Sequence, residues 1–212
     1  MTTFCNRTKY VLKTDDDMFV NMFTIVKHLT DLYGSGVVAH RRRLIICYVW
    51  WRMHVGRHGL WLKFGFNVSA YPDVYPPYCS GMGYILSVDV AVALYRVSAY
   101  VPFVWVDDAY ISGILAVPLR DAGVHHVDMM RAYCAEKEMG LYTHETEWYK
   151  YAFTPIGDER VHRRKWTELT EMARTRTIPT PLGGIRPGFL CDEYLPKKVI
   201  FPELYNRERG RS

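Results

Sequence analysis

The stretch from Lys9 to Asn21, KYVLKTDDDMFVN, sets three consecutive carboxylates, Asp15, Asp16 and Asp17, between two apolar runs. Apolar flanks draw the triplet toward the interior of a fold, where an unpaired carboxylate is costly. Such acids need a partner, and a divalent cation suits carboxylates packed this closely. KYVLK, residues 9–13, has the composition of a short strand, which puts the triplet at its C-terminal end. Beyond it Phe19, Met22, Phe23, Val26, Leu29 and Tyr33 recur mostly at three- and four-residue intervals and predict an amphipathic helix over 18–33, ended by Gly34. Strand, acidic turn and helix point to an α/β sheet, in which ligands gather at the carboxyl ends of strands. In an extended segment Asp15 and Asp17 converge while Asp16 points elsewhere. A lone DDD is more often a solvated turn or a helix N-terminus; the apolar flanks are what shift this one toward a site.

Further along, Leu44 to Trp50 is β-rich, and residues 51–75 alternate Gly, aromatic and polar types as a meander of short strands and loops does. A Pro-rich turn is expected over Tyr75-Pro-Pro-Tyr-Cys-Ser-Gly-Met-Gly83. Ser87 is a good N-cap for a helix in SVDVAVALYRVSA. The apolar run Val101-Pro-Phe-Val-Trp-Val106 reads as extended and delivers Asp107 and Asp108 to a second strand end, with a helix beginning near Tyr110. A further helix is expected over 158–174. The Pro, Gly and charge content beyond it divides the chain into a domain over 1–175 and a tail over 176–212.

Hydrophobic residues make up 49% of the 212, enough for a core. The net charge of +5 gives little support to a nucleic-acid partner, because residues 171–212 alone hold eight Lys or Arg against five Asp or Glu. Cys5, Cys47, Cys79, Cys134 and Cys191 show no CxxC spacing, so a structural zinc is not expected, and their odd number leaves at least one unpaired. Two sequons, Asn6-Arg-Thr8 and Asn67-Val-Ser69, are compatible with the secretory pathway. No segment reaches the roughly 18 apolar residues of a membrane span, and the first residues lack a signal peptide's apolar centre.

KYVLKTDDDMFVN, YPPYCSGMGYILSVDVA and PFVWVDDAYISGILA, in that order, resemble the three signature blocks of the β1,3-galactosyltransferase family of Golgi glycosyltransferases, glycosyltransferase family 31. The resemblance covers Thr3 to Leu119 and fades beyond about residue 140. It implies an α/β fold of the GT-A type, a UDP-sugar donor and Mn2+. Asp15, Asp16 and Asp17 take the place of the DxD motif at the end of a central strand, with Asp17 and Asp15 as metal ligands and Asp15 and Asp16 holding ribose or sugar. Ser80, Gly81 and Gly83 line the donor sugar, and Asp108, at the acidic position of the family's E-D-V motif, is the catalytic base. Asp107 and Trp105 are assigned to the acceptor.

The implied activity is an inverting hexosyltransferase, moving galactose or an N-acetylhexosamine from UDP to the 3-hydroxyl of a glycan on a glycoprotein or glycolipid. The alternative is an inactive member or fragment that binds glycan or protein. A two-carboxylate glycoside hydrolase is the third possibility, and the signature blocks argue against it. The implied location is the lumenal side of the Golgi membrane. The family's membrane anchor and first sheet strands precede the blocks seen here, so the fold is expected to be N-terminally incomplete, with anchoring only through a missing N-terminal segment. Where the family often places a metal-binding histidine this sequence has Phe153, in Tyr151-Ala-Phe-Thr-Pro155. A phenyl ring does not ligate a cation.

Overall fold

The run Leu44–Trp50 is apolar on both of its faces, so a strand formed from it has to be covered on both sides. The computed structural model describes residues 7–34, 42–57, 73–129, 148–156 and 158–175. In chain order its main elements are β1 (Tyr10–Thr14), β2 (Met18–Val20), α1 (Met22–Gly34), β3 (Leu44–Trp50), β4 (Tyr78–Ser87) and α2 (Val88–Ser98). A π-helical turn (Ala109–Ile114), β5 (His125–Asp128), β6 (Phe153–Pro155) and α3 (Glu159–Arg174) follow. Four strands form a mixed sheet in the order β1-β4-β3-β5, with β4 antiparallel to β1 and β3, and β5 parallel to β3. β2 and β6 make a separate antiparallel pair.

Alternation along β3 sorts its side chains onto two cores. Ile45, Cys47 and Val49 meet Val90 and Leu94 of α2, whereas Leu44 and Ile46 meet Ile25 and Leu32 of α1 together with Phe153. The result is a three-layer α/β core, in which each fully buried Ile or Leu contributes roughly 1.5–3 kcal/mol.

Several sequence expectations are corrected. The helix expected over 18–33 begins only at Met22, because Met18–Val20 pairs as a strand with Phe153–Pro155, a partner remote in sequence. The Pro-rich turn is not one: β4 already begins at Tyr78, and Ser80, Gly81 and Gly83 lie inside it. Residues 101–106 form no strand, so Asp107 and Asp108 sit at the mouth of a helical turn and not at a strand end. β1 is an outer strand among the described residues, not a central one. The helices placed after Ser87 and over 158–174 are present. Ser87, however, leaves α2 uncapped and accepts a hydrogen bond from the Leu44 N–H at 3.0 Å. The tail over 176–212, both sequon asparagines and most of the 51–75 meander fall outside the described residues.

Asn21, the last residue of the DDDMFVN run, joins β2, α1 and the 148–152 segment. Its side-chain oxygen accepts from Thr24 N–H at 3.1 Å, capping α1, and its side-chain nitrogen donates to the Tyr149 carbonyl at 2.7 Å. Its own N–H donates to the Ala152 carbonyl at 2.9 Å, and the residue is fully buried. Asn21→Ala removes the cap and the donor to the part-buried Tyr149 carbonyl, so urea unfolding should show a loss of about 2 kcal/mol. Asn21→Ser, which keeps a capping acceptor without burying a charge against the Tyr149 carbonyl, should lose less. Equal losses for the two would remove the cap from this account.

Candidate active site

A widened stretch of β4 builds the site. Cys47 of β3 faces Tyr84 while Val49 faces Cys79, so the single residue Tyr48 stands opposite the four residues Ser80–Gly83. An excess of residues on one strand bends it and increases its twist. The buried Cys47–Cys79 disulfide ties the two strands on either side of this bulge. On its other edge β4 is held by β1: Thr14 pairs with Gly83, and the Thr14 hydroxyl donates to the Met82 carbonyl at 2.9 Å. Lys13 donates from Nζ to the Gly81 carbonyl at 3.1 Å.

The bulge brings together carboxylates that are far apart in sequence. A Cβ added at Gly81 would lie 3.4 Å from Asp108 Oδ2 and 3.6 Å from Asp15 Oδ2, so both oxygens border the space above that glycine. Lys13 Nζ lies 2.7 Å from Asp15 Oδ1 and 3.4 Å from Asp107 Oδ2, and 5.6 Å from the centre of the Tyr84 ring. Burial opposes the ammonium, yet its bonds to Asp15 and Asp107 outweigh that and raise its pKa above the ordinary lysine value. Burial raises the Tyr84 phenol first, and Asp107, Asp108 and Asp15 all push it further. Three acids and one fixed cation thus share one end of β1 and β4.

Asp108 is positioned from the core outward. Its Oδ1 accepts the Ala109 N–H at 2.7 Å, which leaves Oδ2 toward Gly81. Its backbone carbonyl accepts the Ser112 hydroxyl at 2.6 Å, and that hydroxyl oxygen in turn accepts the Cys79 N–H at 2.8 Å. The Ser112 carbonyl accepts from buried His126 Nε2 at 2.8 Å. Burial, with Arg120 adding to it, lowers the His126 pKa to about 4, so the ring is a neutral donor at pH 7. The wide turn is itself closed by the Leu115 N–H on the Tyr110 carbonyl at 2.9 Å. Burial raises the Asp108 pKa and Asp107 adds to that, while the Ala109 N–H and Lys13 act the other way.

The remaining candidates divide. Asp15 to Asp17 form a turn closed by the Met18 N–H on the Asp15 carbonyl at 3.3 Å, so the extended segment behind the expected convergence of Asp15 and Asp17 is absent. All three acids are exposed. The Asp17 carbonyl accepts the Ile156 N–H at 2.7 Å, which fixes the turn against β6. Ser80 is buried, and Gly83 is enclosed by the ring of Phe153, itself fully buried. Trp105 is 59% exposed beside Asp107. Lys13, near the end of β1, is a site residue that the sequence reading does not single out; its place two residues before the first acid of the triplet is the signal for it.

A profile of the Galactosyltransferase family matches residues 1–130. The chain belongs to that family. Within the galactosyltransferase match lie Lys13, Asp15 to Asp17, Gly81, Gly83, Asp107 and Asp108, whereas Phe153 lies beyond it. Mouse beta-1,3-galactosyltransferase 1 is 30% identical over 182 residues, covering 83% of this chain and 50% of the relative, so similarity extends well past residue 140. Human UDP-GalNAc:beta-1,3-N-acetylgalactosaminyltransferase 1 is 36% identical over 126 residues, covering 59% of this chain and 35% of its own. The chain therefore spans about half the length, or less, of these galactosyltransferase-family relatives.

Proposed function

We propose that this chain carries the catalytic half of an inverting hexosyltransferase of the GT-A type, which moves galactose or an N-acetylhexosamine from UDP to a glycan 3-hydroxyl and leaves a β1,3 linkage. The observation behind this is the approach of Asp15 Oδ2 and Asp108 Oδ2 to one side-chain-free residue, Gly81, in a member of the galactosyltransferase family. A glycine there lets a ligand approach the strand closely between the two acids. Asp108 Oδ2 takes the proton of the acceptor hydroxyl as that oxygen attacks the anomeric carbon from the face opposite UDP, and the C–O bond to UDP breaks. Lys13 holds Asp15 and Asp107 together and offsets their charge. Asp107 and Trp105 face the acceptor, while Asp15, Asp16 and Ser80 serve the donor.

Asp15 and Asp17 are both exposed at their turn, Asp15 with Oδ1 already on Lys13, so Mn2+ held there would take most of its ligands from diphosphate and water. Among the described residues no cluster of three His, Cys, Asp or Glu surrounds it. Asp17 and Asp15 would hold the ion, which would supply positive charge to the departing diphosphate. The Cys47–Cys79 bond supports an oxidising compartment such as the Golgi lumen. No helix among the described residues is long and apolar enough to cross a membrane.

The test is UDP release by the full chain from UDP-galactose and from UDP-N-acetylgalactosamine, with Mn2+, in the presence of β-galactoside and β-N-acetylglucosaminide acceptors. Acceptor-dependent release with a β1,3-linked product is expected. Binding of acceptor without any release would favour a glycan-binding role instead.

A further inference from the structure

Phe103 and Trp105 project from the segment that leads into Asp107 and Asp108, and they are 67% and 59% exposed. Unlike a ring exposed by itself, this pair is braced from the core. The Phe103 ring packs edge-on against Tyr110, centroids 5.2 Å apart at 73°, and buried Tyr110 is pinned by its hydroxyl donating to the Val101 carbonyl at 3.2 Å. Phe103 and Trp105 stand 6.4 Å apart with planes at 84°, making a corner: one ring offers a face, the other a wall.

We propose that this corner is a stacking subsite for the second sugar ring of the acceptor, the one next to the ring whose hydroxyl is attacked; this rests on the transferase reading above. Trp105 lies three residues from Asp108 and Phe103 five, so their Cα atoms can be no farther from its Cα than about 11 and 18 Å, which keeps the corner on the same rim of the site. Aromatic faces beside carboxylates match the two sides of a pyranose, apolar C–H groups on its face and hydroxyl donors on its rim. Two rings offer at most about 500 Å2, well below the roughly 800 Å2 per partner of a stable protein interface. The adjacent Asp107 and Asp108 would be repelled by an anionic membrane.

The test compares one-ring and two-ring acceptors on the full chain: methyl β-galactoside against lactose, and methyl β-N-acetylglucosaminide against chitobiose. The wild-type chain should prefer the two-ring member of the pair it uses, as a ratio of kcat/KM. Phe103→Ala should cut that preference about tenfold, carried by acceptor KM, as for loss of an anchoring aromatic, and Phe103→Tyr should restore it. An unchanged preference in Phe103→Ala, or an equal drop with Phe103→Tyr, overturns the subsite. Absence of transfer to either pair would overturn the transferase reading, and saturation-transfer NMR then decides the subsite. Magnetisation passing to the second ring of lactose or chitobiose in wild type but not in Phe103→Ala supports it, and none in wild type overturns it.

Discussion

Asp108→Asn is expected to lower kcat by about a hundredfold to ten-thousandfold, the range for loss of a positioned base, while UDP binding by calorimetry persists. Asparagine is close in shape and its side-chain oxygen still accepts the Ala109 N–H that Asp108 Oδ1 receives at 2.7 Å. The turn it opens is also held through Ser112, by the Asp108 carbonyl, the Cys79 N–H and His126, none of which the substitution touches. What disappears is the oxygen facing Gly81 that can accept a proton. The pH profile gives an independent check. A base works deprotonated, and burial with Asp107 raises the Asp108 pKa, so kcat/KM should be lost as pH falls through a value above the ordinary aspartate one. The residual rate of Asp108→Asn should lack that limb. Turnover close to wild type in this variant would remove Asp108 as the base.

The parts of the fold that were legible in sequence are those set by local pattern. β1 and β3 follow from short apolar runs, and α2 is present although Ser87, read as its cap, bonds Leu44 instead; α3 lies where a helix is expected over 158–174. Misreadings arose where a distant partner decided the outcome. Met18–Val20 fits a helical period as well as a strand, and pairing with Phe153–Pro155 selects the strand. YPPYCSGMG has turn composition, but β1 on one side and β3 on the other draw Tyr78–Ser87 into the sheet, with the surplus residues thrown into a bulge. Asp107 and Asp108 stand out in the sequence as acids beside an apolar run, but the approach of Asp108 and Asp15 to Gly81 depends on that bulge. No local spacing reveals which two of five cysteines pair, since Cys47 and Cys79 are 32 residues apart.

Gly81 and Gly83 lie two residues apart in one strand, and alanine should fail at each for opposite reasons. At Gly83 an added Cβ would sit 2.2 Å from Phe153 Cε1 and 2.5 Å from Cδ1, closer than real Cβ atoms come to anything. The ring has nowhere to go: Phe153 is fully buried on β6, opposite Val20. Gly83→Ala should therefore cost about 3 kcal/mol or more, at the upper end of overpacking, as read by urea unfolding. Phe153→Leu in the same chain should return part of it, and additive losses in the double-mutant cycle would contradict the clash. At Gly81 the nearest atoms to a Cβ are carboxylate oxygens at 3.4 and 3.6 Å, ordinary contact, so Gly81→Ala should unfold within about 0.5 kcal/mol of wild type. Its methyl nonetheless occupies the space between Asp15 and Asp108, and displacing the donor sugar by a fraction of its width should cost about tenfold or more in kcat/KM. A Gly81→Ala chain as active as wild type would move the reaction away from this glycine, whatever the family match.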